Sequence, residues 1–139
     1  MEEPLTEELL QELMDAPDAE SYLAEHPGEP RSLSDYLQQL LDEKGLVRAE
    51  VVRDAGLNST FGYQIFKGER GASRDKVLQL AFAMELSLKE TNRLLQAAGA
   101  NELYCKNRRD AIIIFCISHE KSLGQTDEEL YRLGEATIC

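Results

Sequence analysis

The chain has 139 residues and a formal net charge of −11 at neutral pH, with 26 acidic residues against 15 lysines and arginines. This length can bury one hydrophobic core and predicts a single domain. An acidic chain repels phosphates, so its net charge cannot attract nucleic acid. Binding to nucleic acid would require a local cluster of lysines and arginines.

The N-terminal segment, residues 1–31, is strongly acidic. Residues 1–32 carry ten acidic residues and one basic residue. We predict helices over Thr6–Met14 and Asp18–Glu25, then a turn or linker at Pro27–Pro30. This segment either masks a phosphate-binding surface, docks a regulatory partner, or is a solubilising cap that packs its leucines on the domain, and we favour the cap. The apolar stripe of the first helix consists of Leu9, Leu10, Leu13 and Met14.

The main domain is predicted over residues 32–100 and begins with an amphipathic helix from Leu33 to Lys44, stopped by Gly45. Residues 48–70, RAEVVRDAGLNSTFGYQIFKGER, then give two short helical patterns separated by a turn. Gly56 can adopt a positive φ, and Asn58 can cap the first free N–H groups of the second helix. A helix, a tight turn and a second helix are the layout that places a helix in a DNA major groove.

Apolar spacing on these two helices predicts a small core between them and a hydrophilic face opposite. Hydroxyl, amide and ammonium groups on one exposed strip suit contacts with base edges and phosphates, although an ordinary solvated face would have the same pattern. The expected core is Val51, Ala55, Leu57, Phe61 and Ile65, and the hydrophilic face is Ser59, Thr60, Tyr63, Gln64 and Lys67.

The elements that follow complete a five-helix order. Gly68 closes one helix, Ser73 opens the next, and a further helix runs from Leu88. Residues 33–99 thereby resemble the Cro/CI repressor-like (XRE-type) helix-turn-helix family. The resemblance depends on Gly56-Leu57-Asn58, on Gly68-x-Arg70, and on the apolar spacing of Leu80-Ala81 with Leu86-Ser87-Leu88.

This resemblance implies an all-α, lambda-repressor-like five-helix fold and a transcriptional regulator that binds double-stranded DNA sequence-specifically. Asn58–Lys67 would be the recognition helix, and a homodimer on a two-fold site would double its contacts. Residues 33–99 carry nine acidic and nine basic residues, so binding by a monomer should be weak. The implied base contacts are Asn58, Ser59, Thr60, Tyr63, Gln64 and Lys67, and the phosphate contacts are Arg48, Arg70 and Arg74.

Three positions depart from the family pattern. The family usually has a small residue at the position of Val52 and a larger apolar residue at the position of Gly62. We expect Val52 to fill the space that Gly62 leaves, with the bulk moved to the other helix. Phe66 replaces a residue that is often charged, and it would be either core or a contact for another protein.

The C-terminal region, residues 101–139, repeats the hairpin before it. A shift of 35 without a gap lays 74–99 over 109–134 with seven identities, including Arg74 on Arg109 and Asp75 on Asp110. Ser87 and Ser122 each begin a capping-box pattern, so we expect a second helical hairpin that enlarges the core, forms a dimer face or receives a regulatory partner. The aligned identities are completed by Ser87 with Ser122, Leu88 with Leu123, Thr91 with Thr126, Leu95 with Leu130 and Gly99 with Gly134.

Residues 111–117, AIIIFCI, fit either a buried strand or a buried helix by periodicity alone. Their alignment with the predicted helix at 76–82 favours the buried helix. The run is too short to span a membrane and no secretory signal is evident, so we expect a cytoplasmic protein without membrane contact.

No catalytic or metal site is predicted. Cys105, Cys116 and Cys139 are odd in number and lack a CxxC pair, which indicates reduced thiols rather than a zinc site or a disulfide framework. His26 and His119 have no metal-ligand spacing, and there is no phosphate-cradling glycine loop or nucleophile elbow. We expect no enzyme activity and no cofactor.

The alternative to DNA binding is a non-catalytic protein-interaction module that keeps the helix-turn-helix fold. The acidic balance favours it, as do aromatic residues on or beside the recognition helix, which are Phe61, Tyr63 and Phe66.

Overall fold

A computed structural model of the chain describes residues 6–20 and 32–139, with side chains from residue 10 onward. Within these ranges the regular structure is α-helical, which confirms the predicted all-α class. The chain divides into two compact units, residues 1–30 and 31–139, so the regions predicted at 32–100 and 101–139 lie together in the second. The helices are α1 (Thr6–Asp15), α2 (Leu33–Lys44), α3 (Arg48–Asp54), α4 (Ser59–Lys67), α5 (Arg74–Ala83), α6 (Leu88–Ala97), α7 (Arg108–Ser118) and α8 (Leu123–Arg132).

In the first unit, α1 forms where the sequence predicts a helix, and its Leu10, Leu13 and Met14 side chains are exposed. The second predicted helix, Asp18–Glu25, is described only as far as Glu20. The predicted linker at Pro27–Pro30 lies outside the described residues.

Side-chain caps begin several helices of the second unit where the sequence predicts them, although α3 begins without one. The Ser73 hydroxyl accepts from the Lys76 N–H at the start of α5. Ser87 and Ser122 both form complete capping boxes, in which the hydroxyl accepts from the third helical N–H and a Glu or Gln side chain accepts from the serine N–H. Each cap satisfies N–H groups that a helix cannot pair internally, and so it fixes the residue at which the helix starts.

The core of the second unit contains the predicted contact between α3 and α4. Val51, Ala55, Leu57 and Ile65 are buried, and Phe61 is half-buried against the same cluster. Phe66 is also buried, which settles it as a core residue. The core is completed by large, fully buried side chains from the other helices, which include Leu37, Leu40, Leu78, Leu80, Leu94, Leu95, Ile113 and Leu130.

Val52 fills the space beside Gly62, as expected. An ideal Cβ built on Gly62 would lie 2.7 Å from Cγ2 of Val52 and 3.1 Å from its Cβ. Real Cβ atoms essentially never approach another atom within 3.0 Å. α3 and α4 therefore approach closely at one point, where the glycine provides the space and the valine occupies it.

The two C-terminal hairpins, α5–α6 and α7–α8, share their local geometry at the 35-residue shift. Glu85 and Glu120 both have positive φ angles, 53° and 55°, in the turns between their helices. Thr91 and Thr126 each donate a hydroxyl hydrogen bond of 2.8 Å to the carbonyl of the capping serine. The duplication seen in the sequence is therefore a duplication of structure.

The hairpins exchange ion pairs reciprocally. Arg74 of the first pairs with Asp110 of the second at 2.8 Å, and Arg109 of the second pairs with Asp75 of the first at 3.1 Å. α5 also packs against α8, and α6 against α7. Such mutual exchange is typical of an isologous contact, so the two hairpins are related by a pseudo-two-fold axis.

Residues 111–117 are helical, which confirms the helix predicted from the repeat, but the prediction that this helix is buried was only partly right. Ile113 and Cys116 are buried, whereas Phe115 has 51% of its surface exposed. α5 packs on α3, but among the described helices α7 packs on no counterpart of α3, and Phe115 is left exposed. None of the described helices is long and apolar enough to cross a membrane.

Candidate nucleic-acid interface

The turn between α3 and α4 is held on both sides. Gly56 has a φ of 75°, a conformation that suits glycine because it has no Cβ. The Asn58 side-chain oxygen accepts hydrogen bonds from the N–H groups of Thr60 (2.9 Å) and Phe61 (3.2 Å). From α5, Gln79 donates its amide to the Ala55 carbonyl at 3.0 Å. These bonds fix the direction of α4, and Gly68 closes it in the left-handed conformation.

The outer face of α4 carries the predicted hydrophilic residues. Ser59, Thr60, Tyr63 and Lys67 are exposed, and Gln64 is half-buried. Since Asn58 uses its oxygen for the cap, its amide NH₂ remains as a donor. The face therefore presents donors and acceptors of the kinds that read base edges.

Two cations lie close to the ring of Tyr63. The Arg48 guanidinium carbon lies 4.6 Å from the centroid of the Tyr63 ring, and the Lys67 ammonium lies 5.1 Å from it. Both distances are within the range of cation–π attraction. A hydrogen bond with Tyr63 raises the pKa of Lys67, and the Glu69 carboxylate contributes to the rise. Lys67 is therefore held beside the ring as a cation.

A third cation lies at the end of α4. The Arg70 guanidinium carbon is 5.4 Å from the centroid of Phe61, which is half-buried beneath it. We call Arg48, Lys67 and Arg70, with the two rings that hold them, the cation cluster. In the described part of the chain, these three cations make no ion pair with a carboxylate. The contact of Lys67 with Tyr63 could have been predicted, because residues four apart on a helix are neighbours. The contacts of Arg48 and Arg70 could not, because these residues lie outside α4.

Arg74, the remaining predicted phosphate contact, has other partners. Its guanidinium donates two hydrogen bonds to Asp110, at 2.9 and 2.8 Å, and further bonds to the carbonyls of Asn101 and Glu102. Burial opposes ionisation of Asp110, but the hydrogen bonds from Arg74 and from the Tyr104 N–H outweigh it and lower the pKa of Asp110. The structure therefore places Arg74 at the contact between the hairpins, and we leave it out of the candidate interface.

No family model, curated protein or solved structure matches this chain. The functional assignment therefore depends on the residues and contacts described above. Across residues 10–20 and 32–139, no group of three or more histidines, cysteines or acids is arranged to hold a metal ion.

Proposed function

We propose that α3, its turn and α4 form a Cro/CI-type helix-turn-helix, within a lambda-repressor-like arrangement of residues 33–99. The protein is then a transcriptional regulator that binds double-stranded DNA sequence-specifically. The observation that carries this proposal is the cation cluster beside a stretch, residues 58–68, that contains no acidic residue. In a chain with 26 acids, a helix that carries no acid and is bordered by cations suits a polyanion.

In this proposal α4 enters the major groove. Arg48 and Arg70 flank it and contact phosphates, because each is a cation without a carboxylate partner in the described residues. Their rings restrict the arginine side chains before DNA arrives, which lowers the entropy cost of ordering them on binding. The base contacts come from Asn58, Ser59, Thr60, Tyr63, Gln64 and Lys67.

Salt dependence tests the proposal. We expect the full chain to bind a fluorescent random-sequence duplex at low salt and to lose affinity as salt rises. Arg48→Ala and Arg70→Ala should each weaken binding and reduce the slope of log K against log salt by about 0.9, the value for one lost phosphate contact.

Arg132→Ala on α8 is the matched control, because it removes the same charge from a side chain that is 65% exposed and pairs with Glu129. It should leave the slope unchanged. Absence of binding at low salt, or equal losses in all three variants, would reject DNA binding through α4. Selection of bound duplexes from a random pool would then test sequence specificity.

The acidic net charge and the exposed Tyr63 (41%) favour the second candidate, a protein-interaction module. Its case is weaker than the sequence alone indicates, because Phe66 is buried and Phe61 is covered by Arg70. This candidate predicts no duplex binding at any salt concentration.

A further inference from the structure

α7 has an apolar side that the second unit covers only in part, since Ile112 packs against the core while Phe115 is exposed. Ile112, Phe115 and His119 follow one another at intervals of three and four residues, so they lie on the same side of the helix. Ile112 is half-buried and Phe115 is exposed, and the His119 ring stacks on Phe115 with a centroid distance of 3.9 Å. Surface helices usually place polar residues on this side, and an apolar one indicates an interaction site.

The first hairpin shows how the same face behaves when it is covered. At the 35-residue shift, Ile112 and Phe115 correspond to Val77 and Leu80 of α5, which are both fully buried. α5 packs on α3 in addition to α6 and α8, whereas α7 packs on α6 and α8. The second hairpin therefore keeps apolar residues at positions where the first one buries them.

We propose that this face binds the same face of a second copy of the chain. The two α7 helices would lie antiparallel about a two-fold axis midway between Ile112 and Phe115, so that each Ile112 packs on Phe115 of the other copy. Antiparallel helices also oppose their dipoles favourably.

The charges on α7 suit this occupant. Residues 111–119 contain no acid, so two copies of an acidic chain can approach there without repulsion between carboxylates. In the antiparallel pair, Arg108 at the start of one helix lies near Glu120 at the end of the other. Arg108 is 62% exposed and directs one nitrogen to Glu135 of its own chain, at 2.7 Å, which leaves further donors for Glu120. The pair is therefore self-complementary, with an apolar centre and opposite charges at its ends.

One 11-residue helix from each copy makes a small interface. It lies below the standard size of stable complexes, so we expect a dissociation constant in the micromolar range or higher. The dimer does not depend on DNA binding, since α7 lies in the second hairpin and the experiment contains no DNA.

Sedimentation velocity of the full chain from about 5 to about 500 µM covers the range expected for a weak dimer. The weight-average sedimentation coefficient should rise with concentration. Phe115→Glu should keep the chain monomeric throughout, while Tyr131→Glu, which alters an 80% exposed aromatic on α8, should associate like the unmodified chain. Far-UV circular dichroism checks that both variants remain folded. A chain that stays monomeric at all concentrations, or a Tyr131→Glu that dissociates as completely as Phe115→Glu, would overturn the proposal.

The antiparallel arrangement has a separate test. Arg108→Glu and Glu120→Arg should each weaken association several-fold, and the double variant should regain most of it, because the charges are then exchanged across the two-fold axis. A double variant weaker than both single variants would exclude this geometry.

Discussion

Gly62→Ala tests the close approach of α3 and α4. Both methyl groups of Val52 would lie within 3.0 Å of the new Cβ. A valine has two methyl groups and three staggered positions, so every rotamer keeps at least one methyl at a crowded position. Rotation of the side chain cannot remove the clash, and the helices must move apart.

The expected loss of stability in Gly62→Ala follows from two opposing effects. Overpacking of this kind costs about 3 kcal/mol at the upper end of its usual range, whereas replacing glycine by alanine within a helix gains about 1 kcal/mol. We therefore expect a net destabilisation of about 2 kcal/mol, or about 8 °C in melting temperature for a unit of this size. Urea unfolding followed by circular dichroism at 222 nm measures the free energy of unfolding.

Two further variants isolate the cause. Gly124→Ala in α8 is the control, because its Cβ would meet only the Ser122 hydroxyl at 3.9 Å, an ordinary contact. It should stabilise the protein by up to about 1 kcal/mol. The double variant Val52→Ala/Gly62→Ala no longer has the clashing methyl groups. Its loss of unfolding free energy should therefore be smaller, by at least about 2 kcal/mol, than the sum of the losses in the two single variants. A Gly62→Ala protein as stable as the unmodified chain would refute the packing argument.

Two other predictions concern buried polar and thiol groups. Asp110→Asn should destabilise the protein by about 2 kcal/mol near neutral pH, because Arg74 loses its carboxylate partner. Since the pKa of Asp110 is lowered in the folded state, its contribution to stability is complete above the unfolded pKa of about 4 and disappears as the pH falls through the folded pKa. Urea unfolding at pH 7 and at pH 3 should therefore show that the stability lost in the variant is smaller in acid. Cys116 is buried, and its burial raises its pKa, so it should react with a thiol reagent at pH 8 far more slowly than the exposed Cys105, as peptide mass spectrometry after timed labelling can measure. Equal deficits at both pH values, or equal labelling rates, would contradict these two accounts.

Local features of the fold could be predicted from the sequence because they depend on residues close together in the chain. The capping boxes at Ser87 and Ser122 join a serine to a partner three residues away, and Gly45 stops α2 by its own conformation. In these cases the sequence spacing determines the geometry. The contact of Val52 with Gly62 was expected on other grounds, because the two positions depart from the pattern of the resembled family in opposite directions.

Contacts across longer distances could not be predicted in the same way. The position of Arg74 in the sequence predicts that it lies with the cations near α4, but its carboxylate partner, Asp110, is 36 residues further along. The repeat aligned Arg74 with Arg109 and Asp75 with Asp110, yet alignment cannot show that the two hairpins face each other. The exposure of Phe115 was missed for a related reason, since a repeated pattern does not tell which helices will cover each copy.

In the candidate interface, the exposed side of α4 followed from helical periodicity, whereas the cation cluster did not. Arg48 reaches Tyr63 from the start of α3, and Arg70 reaches Phe61 from the loop after α4. Each contact requires the angle at which two segments meet, and sequence spacing does not give that angle.

The reciprocal ion pairs make the last hairpin part of the structural support of the domain rather than an appendage. If residues 105–139 were removed, Arg74 would lose Asp110 and Asp75 would lose Arg109, and the α5 surface that packs against α8 would meet water. Because α5 also holds the turn before α4 through Gln79, damage at one end of the unit would reach the other. The second unit should therefore unfold in one cooperative transition.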